Sequence, residues 1–151
     1  MSSKCIFCDI VSKKSPADIK LENEEIIIFT DIKPVAKHHY LAIPKEHIEN
    51  VNSLNTTEHV GLLDRLVSEG KRVIEEQGGD LNDMRLGFHL PPFNTVGHLH
   101  LHCISPASKF GLLHKGMFLP GSWWFATDEQ IREKISKAGV ANQSSKINNK
   151  L

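Results

Sequence analysis

Seven residues, His98-Leu99-His100-Leu101-His102-Cys103-Ile104, constrain this chain more tightly than any other stretch. Side chains alternate across a β-strand with a period of two, so a strand sends His98, His100 and His102 to one face. Leu99, Leu101 and Cys103 then point to the other face, the core side. A helix would scatter the same residues, because positions two apart do not share a helical face. The stretch therefore calls for a sheet with one apolar face and a row of imidazoles about 6.5–7 Å apart on the other. Groups that titrate near pH ~6.5 in such a row can share protons, bind an anion, hold a metal or attack an electrophile.

The rest of the chain reads as an α+β domain built around that strand. Ile19-Lys20-Leu21-Glu22 and the β-branched run from Glu25 to Thr30, joined at Asn23-Glu24, predict a hairpin. Tyr40 to Ile43 is a short strand stopped by Pro44, and His47 follows where a strand end or loop can face a site. Asn55 as N-cap with Glu58 three residues on predicts a capping box. The helix it opens runs to about Gln77, with Val60, Leu63, Val67 and Ile74 on one side and Leu62, Leu66 and Val73 widening the stripe; Gly78-Gly79 ends it. Met84 to Leu90 predicts a strand, and the turn Pro91-Pro92-Phe93-Asn94-Thr95 makes it an antiparallel neighbour of the histidine strand. A loop spans Ser105 to Ser122, and Thr127-Asp128-Glu129-Gln130 opens a last helix ending near Ala138. The expectation is one domain over residues 1–138. Residues 139–151, rich in Asn, Ser, Gln and Lys without periodicity, are expected to be a disordered tail.

Charge and composition remove several function classes. Lys plus Arg and Asp plus Glu number 18 each, which gives no electrostatic footprint for long nucleic acid. No apolar run approaches the roughly 20 residues of a membrane span, and the N-terminus lacks the apolar region of a signal peptide. The three cysteines cannot form a disulfide framework without a remainder, so reduced thiols or metal ligation are expected in the cytosol, with the nucleus as an extension. Cys5-Ile6-Phe7-Cys8 has the two-residue gap that lets two thiolates meet one tetrahedral ion; it also reads as two small thiols flanking a core Phe7. The histidine row keeps three readings at this point. They are a zinc site with an open position, chance surface histidines, and nucleophilic catalysis by one imidazole with its neighbours moving protons.

The row His98-Leu99-His100-Leu101-His102-Cys103-Ile104 resembles the histidine triad, His-φ-His-φ-His-φ-φ with φ apolar, of the histidine triad (HIT) superfamily of nucleotide hydrolases and transferases. Further blocks stand in matching order: Cys5 to Cys8, Phe29 to Pro34, His38 to His47, and Asn94-Thr95 before the triad. Within the superfamily the chain is most similar to the Hint group. Arg85 to Phe93 and Trp123-Trp124-Phe125 resemble its third branch, which shares features with the catalytic domain of aprataxin. The resemblance implies a mainly antiparallel sheet of about five strands with one long and one C-terminal helix. It implies a homodimer or higher homo-oligomer, and hydrolysis of purine nucleoside phosphoramidates to AMP through a nucleotidyl-histidine. An aprataxin-like adenylate hydrolase and a non-catalytic nucleotide-binding scaffold are the alternatives.

Roles carry over with the motifs. By resemblance, His100 attacks the α-phosphorus while its other ring nitrogen donates to a backbone carbonyl, and His98, His102 and His47 are candidates for proton relay. Thr95, at a family Ser position, would hydrogen-bond the bridging nitrogen, and Asn94 with nearby N–H groups would hold phosphate oxygens. Asp31 would accept from both ribose hydroxyls, with Phe7, Ile10, Phe29 and Ile32 forming the base slot and Trp124 near the leaving group. The chemistry requires no cofactor, and zinc-carrying relatives imply a structural Cys₂His₂ site at Cys5, Cys8, His47 and His98. Two departures mark the phosphate end of the nucleotide site. His89 stands where better-known Hint proteins carry Asn, and Pro91-Pro92-Phe93 replaces a Gly-rich turn, removing backbone N–H donors.

Overall fold

The computed structural model describes the backbone of residues 5–148. The apolar stretch after Cys5 forms a short helix, α1 (Ile6–Val11), and the predicted hairpin is β1 (Ile19–Glu22) against β2 (Ile26–Thr30). Then come β3 (His38–Pro44), the long helix α2 (Thr57–Glu76), β4 (Arg85–His89) and β5 (Leu101–Ser105). A short helix α3 (Leu112–Met117), the two-residue strand β6 (Phe125–Ala126) and α4 (Asp128–Asn148) complete the order. The strands make one sheet in the order β1-β2-β3-β5-β4-β6 with every neighbouring pair antiparallel.

Period-two alternation divides this sheet into two apolar faces. Ile26, Ile28, Tyr40, Ala42, Leu86, Phe88, Leu101 and Cys103 face α2 and α4, against Leu63, Leu66, Val67, Ile74, Ile131 and Ile135. On the other face Ile27, Phe29, Leu41 and Ile43 pack with Phe7 and Ile10 of α1. Further along it, Ile104, Phe118 and Phe125 form a third cluster. Central β3 is buried along its whole length, as a strand covered on both faces must be. Two glycines permit close approach. A Cβ on Gly70 of α2 would lie 2.7 Å from Cys103 Sγ, and one on Gly87 of β4 would lie 2.5 Å from the Phe125 ring.

Several sequence expectations shift, each for a local reason. The helix N-cap is Thr56, one residue later than expected. The His59 ring, in place of Glu58, reaches back to accept from the Asn55 and Thr56 amides at 3.1 and 3.4 Å. The C-terminus behaves as read: Gly78 takes φ +93°, and the Gly79 and Gly78 amides close on the Ile74 and Glu75 carbonyls at 2.7 and 3.0 Å. The sheet has a sixth strand, β6, too short to show a period. The expected loop between Ser105 and Ser122 contains α3. The last helix opens on Thr127 and Gln130, each accepting the other's amide, and continues past Ala138 to Asn148. Polar residues without apolar periodicity can extend a helix that is already nucleated, so the tail expectation fails over residues 139–148. Its last three residues, 149–151, lie outside the described residues.

The histidine strand is also shorter than the motif. Sheet pairing begins at Leu101, opposite Ala42. Beyond Ala42, β3 reaches Pro44, which has no N–H to donate, and the Leu99 amide turns instead to the Ile48 carbonyl at 2.6 Å. His102 thus belongs to the strand, while His98 and His100 precede it. The parity survives, with Leu99, Leu101 and Cys103 all buried on the core side.

Candidate active site

His100 is held in one tautomer by the main chain. Its Nδ1 lies 2.7 Å from the His98 carbonyl oxygen, an acceptor, so Nδ1 carries the proton and Nε2 keeps a free lone pair. The ring is 7% exposed and sits edge-on to Phe7 at 5.2 Å between centroids. Burial lowers its basicity below the usual imidazole range, partly offset by the His98 carbonyl, so the ring is neutral and nucleophilic at pH 7. The small crevice at His100 is lined by His89, Asn94, Val96 and His98 among others. Thr95 is exposed and not among the lining residues, because the turn that brings Asn94 and Val96 inward sends the residue between them outward.

His102 belongs to a chain of three imidazoles whose direction is fixed at both ends. The Val35 amide donates to His39 Nδ1 at 3.1 Å, so the proton of His39 is on Nε2, which lies 2.9 Å from His102 Nδ1. His102 Nε2 then faces His89 Nδ1 at 3.2 Å, and His89 Nε2 donates to the Met117 carbonyl at 3.0 Å. Every ring is neutral and every bond runs the same way. Phe118 packs against all three rings at 5.0–5.8 Å between centroids, keeping water from them. Gly87 matters here, since the Phe125 ring it admits lies 5.2 Å from His89. Sequence reading gave His39 no role. The alternation of β3 puts it on the face of His102, but the pairing of β3 with β5 that brings the two rings together is not a local signal.

Asp31 does two things. One carboxylate oxygen accepts the Lys33 amide at 2.9 Å and shapes the turn; the other lies 3.3 Å from His39 Nε2. Asp31, His39 and His102 cluster closely enough to suggest a cation, yet the Val35 amide keeps a proton on the His39 nitrogen that would have to ligate. Of the base-slot residues, Ile10 and Phe29 are core, Phe7 forms the wall against His98 and His100, and Ile32 is 91% exposed. Trp124 is half-buried and its Nε1 donates to the Gly116 carbonyl at 2.7 Å.

The second constellation joins α1 to the triad. Cys5 Sγ lies 3.4 Å from His98 Nδ1, Cys8 Sγ lies 3.2 Å from His47 Nδ1 and 3.6 Å from His98 Nδ1, and the two Nδ1 atoms are 3.2 Å apart. A zinc tetrahedron with bonds of about 2.0 Å to nitrogen and 2.3 Å to sulfur has an N–N edge of about 3.3 Å and N–S edges of about 3.5 Å, so these separations fit one. His98 Nε2 donates to the Pro44 carbonyl at 2.8 Å, which leaves Nδ1 as the ligating atom and fixes the ring. Without an ion, burial and the neighbouring Cys5 push the Cys8 thiol up to about 11. A divalent ion held by these four donors would reverse that and yield the thiolate.

The neutral imidazole chain makes stability depend on pH. Burial, with the neighbouring rings adding to it, holds His39 and His102 below the ordinary range, and burial alone lowers His89. In the unfolded chain these groups titrate near ~6.5. Below that pH the unfolded state binds more protons, so their contribution is intact above about 6.5 and is lost as pH falls through the folded values. The melting temperature is expected to drop by about 5 °C or more between pH 7.5 and 5.0 in thermal scans; a flat profile would contradict the neutral chain.

A buried, carbonyl-oriented imidazole beside a polarised histidine chain, on an antiparallel sheet backed by one long helix, defines a histidine triad protein. A family model described as scavenger mRNA decapping enzyme C-term binding matches residues 4–117, and the chain belongs to that family within the HIT superfamily. It is 40% identical over 138 residues to adenosine 5′-monophosphoramidase HINT3 of Mus musculus, covering 89% of this chain and 83% of the mouse protein. It is 42% identical over 106 residues to the bifunctional adenosine 5′-phosphosulfate phosphorylase/adenylylsulfatase HINT4 of Arabidopsis thaliana, covering 70% and 72%. Among solved structures, a HIT family hydrolase from Clostridium thermocellum superposes with a TM-score of 0.64 at 34% identity, over 69% of this chain and 91% of that one.

Proposed function

We propose that this protein hydrolyses adenosine 5′-monophosphoramidates to AMP and the free amine, with His100 as the nucleophile. The observation that carries the reading is the 2.7 Å bond from His100 Nδ1–H to the His98 carbonyl, which leaves Nε2 unprotonated in a buried ring. In the first step Nε2 bonds to phosphorus, the P–N bond breaks, and the departing nitrogen takes up a proton. In the second, water attacks phosphorus and the His100–phosphorus bond breaks, releasing AMP. The His39–His102–His89 chain is placed to carry protons in both steps, because His98 and His47 are engaged with the two cysteines. The Asp31 carboxylate, beside His39, suits the ribose hydroxyls. The names of the mouse and plant relatives share an adenosine 5′-phosphoryl half and differ in what it is joined to, which supports AMP as the constant part of the substrate.

The Cys₂His₂ cluster is assigned to a structural zinc held by Cys5, Cys8, His47 and His98. Closed tetrahedral coordination contributes folding energy and takes no part in phosphorus chemistry. A homodimer is assigned on the resemblance alone, and residence in the cytosol or nucleus on the cysteine pattern and the character of the N-terminus. Incubation of the purified protein with adenosine 5′-phosphoramidate tests the enzymatic reading. AMP and ammonia are expected in equal amounts, with an adenylylated chain visible by intact mass after rapid quenching. Tight AMP binding without turnover would replace this reading with that of a nucleotide-binding scaffold.

A further inference from the structure

A cavity of about 300 Å³ opens at the other end of β4 and shares no lining residue with the crevice at His100. Arg85 reaches it from the first position of the strand. Leu86 and Phe88 turn toward α2, so Arg85 leaves the sheet on the face that carries His89 at the strand's last position. Its Nη1 donates to the Phe118 carbonyl at 2.8 Å, and its guanidinium carbon stands 5.9 Å from the centre of the Phe110 ring. Asn82, Asp83, Ser108 and Lys115 complete the polar part of the lining.

The charges in this cavity are unbalanced. Arg85 is half-buried, and burial works against its charge with no acidic group to offset the cost. Among the described residues neither Arg85 nor Lys115 takes part in an ion pair. Asp83 is the one acidic residue in the lining, and it is already committed. One of its oxygens accepts the Ser108 amide at 2.8 Å and the other accepts the Ser108 hydroxyl. Those bonds tie the loop after β5 to the residues before β4 and hold the carboxyl below its usual range. We propose that Arg85 and Lys115 form an oxyanion site, separate from the active site, that takes the phosphate or carboxylate group of a small molecule. The planar guanidinium matches two oxygens of such a group, and the ammonium adds a point charge. The Phe110 ring offers the rest of the molecule an apolar surface. This site does not depend on the phosphoramidase reading, since no histidine lines it.

Titration of the nitrogen-15-labelled protein with inorganic phosphate at neutral pH tests this, with potassium chloride at matched ionic strength as the control. Saturable shifts with a Kd of about 1 mM or tighter are expected at the amides of residues 82–85 and 107–110 and at Arg85 Nε–H. Malonate titrated in parallel separates the two oxyanions, the tighter binder naming the class. Lys115 is exposed, so Lys115→Gln spares the core and is expected to weaken binding about tenfold. Arg85→Gln is expected to abolish it. Shifts confined to residues 94–102 would place the anion at the nucleophile and overturn the second site. Shifts no larger than those in chloride, absence of saturation with both anions, or binding unmoved by Lys115→Gln overturn it equally.

Discussion

His100→Ala is expected to lower turnover of adenosine 5′-phosphoramidate by about 10⁴-fold or more and to abolish the adenylylated intermediate. The size follows from what is removed. A covalent nucleophile splits one hard displacement into two easier ones, and residues acting as a unit with it cannot supply the missing bond. No neighbouring imidazole is placed to substitute. His102 has both nitrogens in the imidazole chain, and His98 has one on the Pro44 carbonyl and the other toward the cysteines. AMP release and intact mass after quenching are the measurements, with a thermal melt to verify that the variant folds. Retention of more than about a hundredth of the activity would remove His100 from the chemistry.

Loss of the Cys₂His₂ cluster should be nearly as damaging, by a different route. Cys8→Ser is the cleaner variant, because Cys5 Sγ also accepts the Cys8 amide at 3.3 Å and caps α1. About one zinc per chain is expected in the purified protein and markedly less in the variant. The melting temperature should fall by about 10 °C or more, the scale expected when a structural metal worth several kcal/mol is lost from a domain of this size. Turnover should fall too, since the carbonyl that orients His100 belongs to His98, whose ring is part of the four-donor cluster. Metal analysis and thermal denaturation decide it. A metal-free wild-type protein whose melting point is unmoved by Cys8→Ser would refute the structural assignment.

What the sequence made legible was local in origin. The hairpin of β1 and β2, the stripe of α2, its glycine stop and the two-sided parity of the histidine row all follow from periods and turn residues within one segment. Motif order brought Cys5, Cys8, His47 and His98 together, and their donor atoms all lie within 4.8 Å of one another. What escaped depends on partners distant in sequence. The His39–His102 contact needs β3 to lie beside β5, 63 residues away, and the role of Val35 or Met117 lies in main-chain atoms that carry no residue signature. β6 is too short to show a pattern, and α3 is an exposed helix whose leucines imitate a core. Motif matching gives Thr95 a position without saying which way its side chain turns, and in the structure that side chain is exposed.

The main-chain bonds described above amount to a way of naming one histidine among many. Of five rings at the site, His39, His89, His98 and His102 each carry their hydrogen on Nε2, and His100 alone carries it on Nδ1. No ring needs unusual chemistry for this, since each tautomer is dictated by a peptide oxygen or amide, directly or through its neighbour. In nitrogen-15 spectra of the imidazoles His100 should therefore stand apart as the inverted signal. The identity proposed for the reacting group is thus written in the orientation of the backbone, and the same five side chains with one peptide unit turned over would offer a different lone pair.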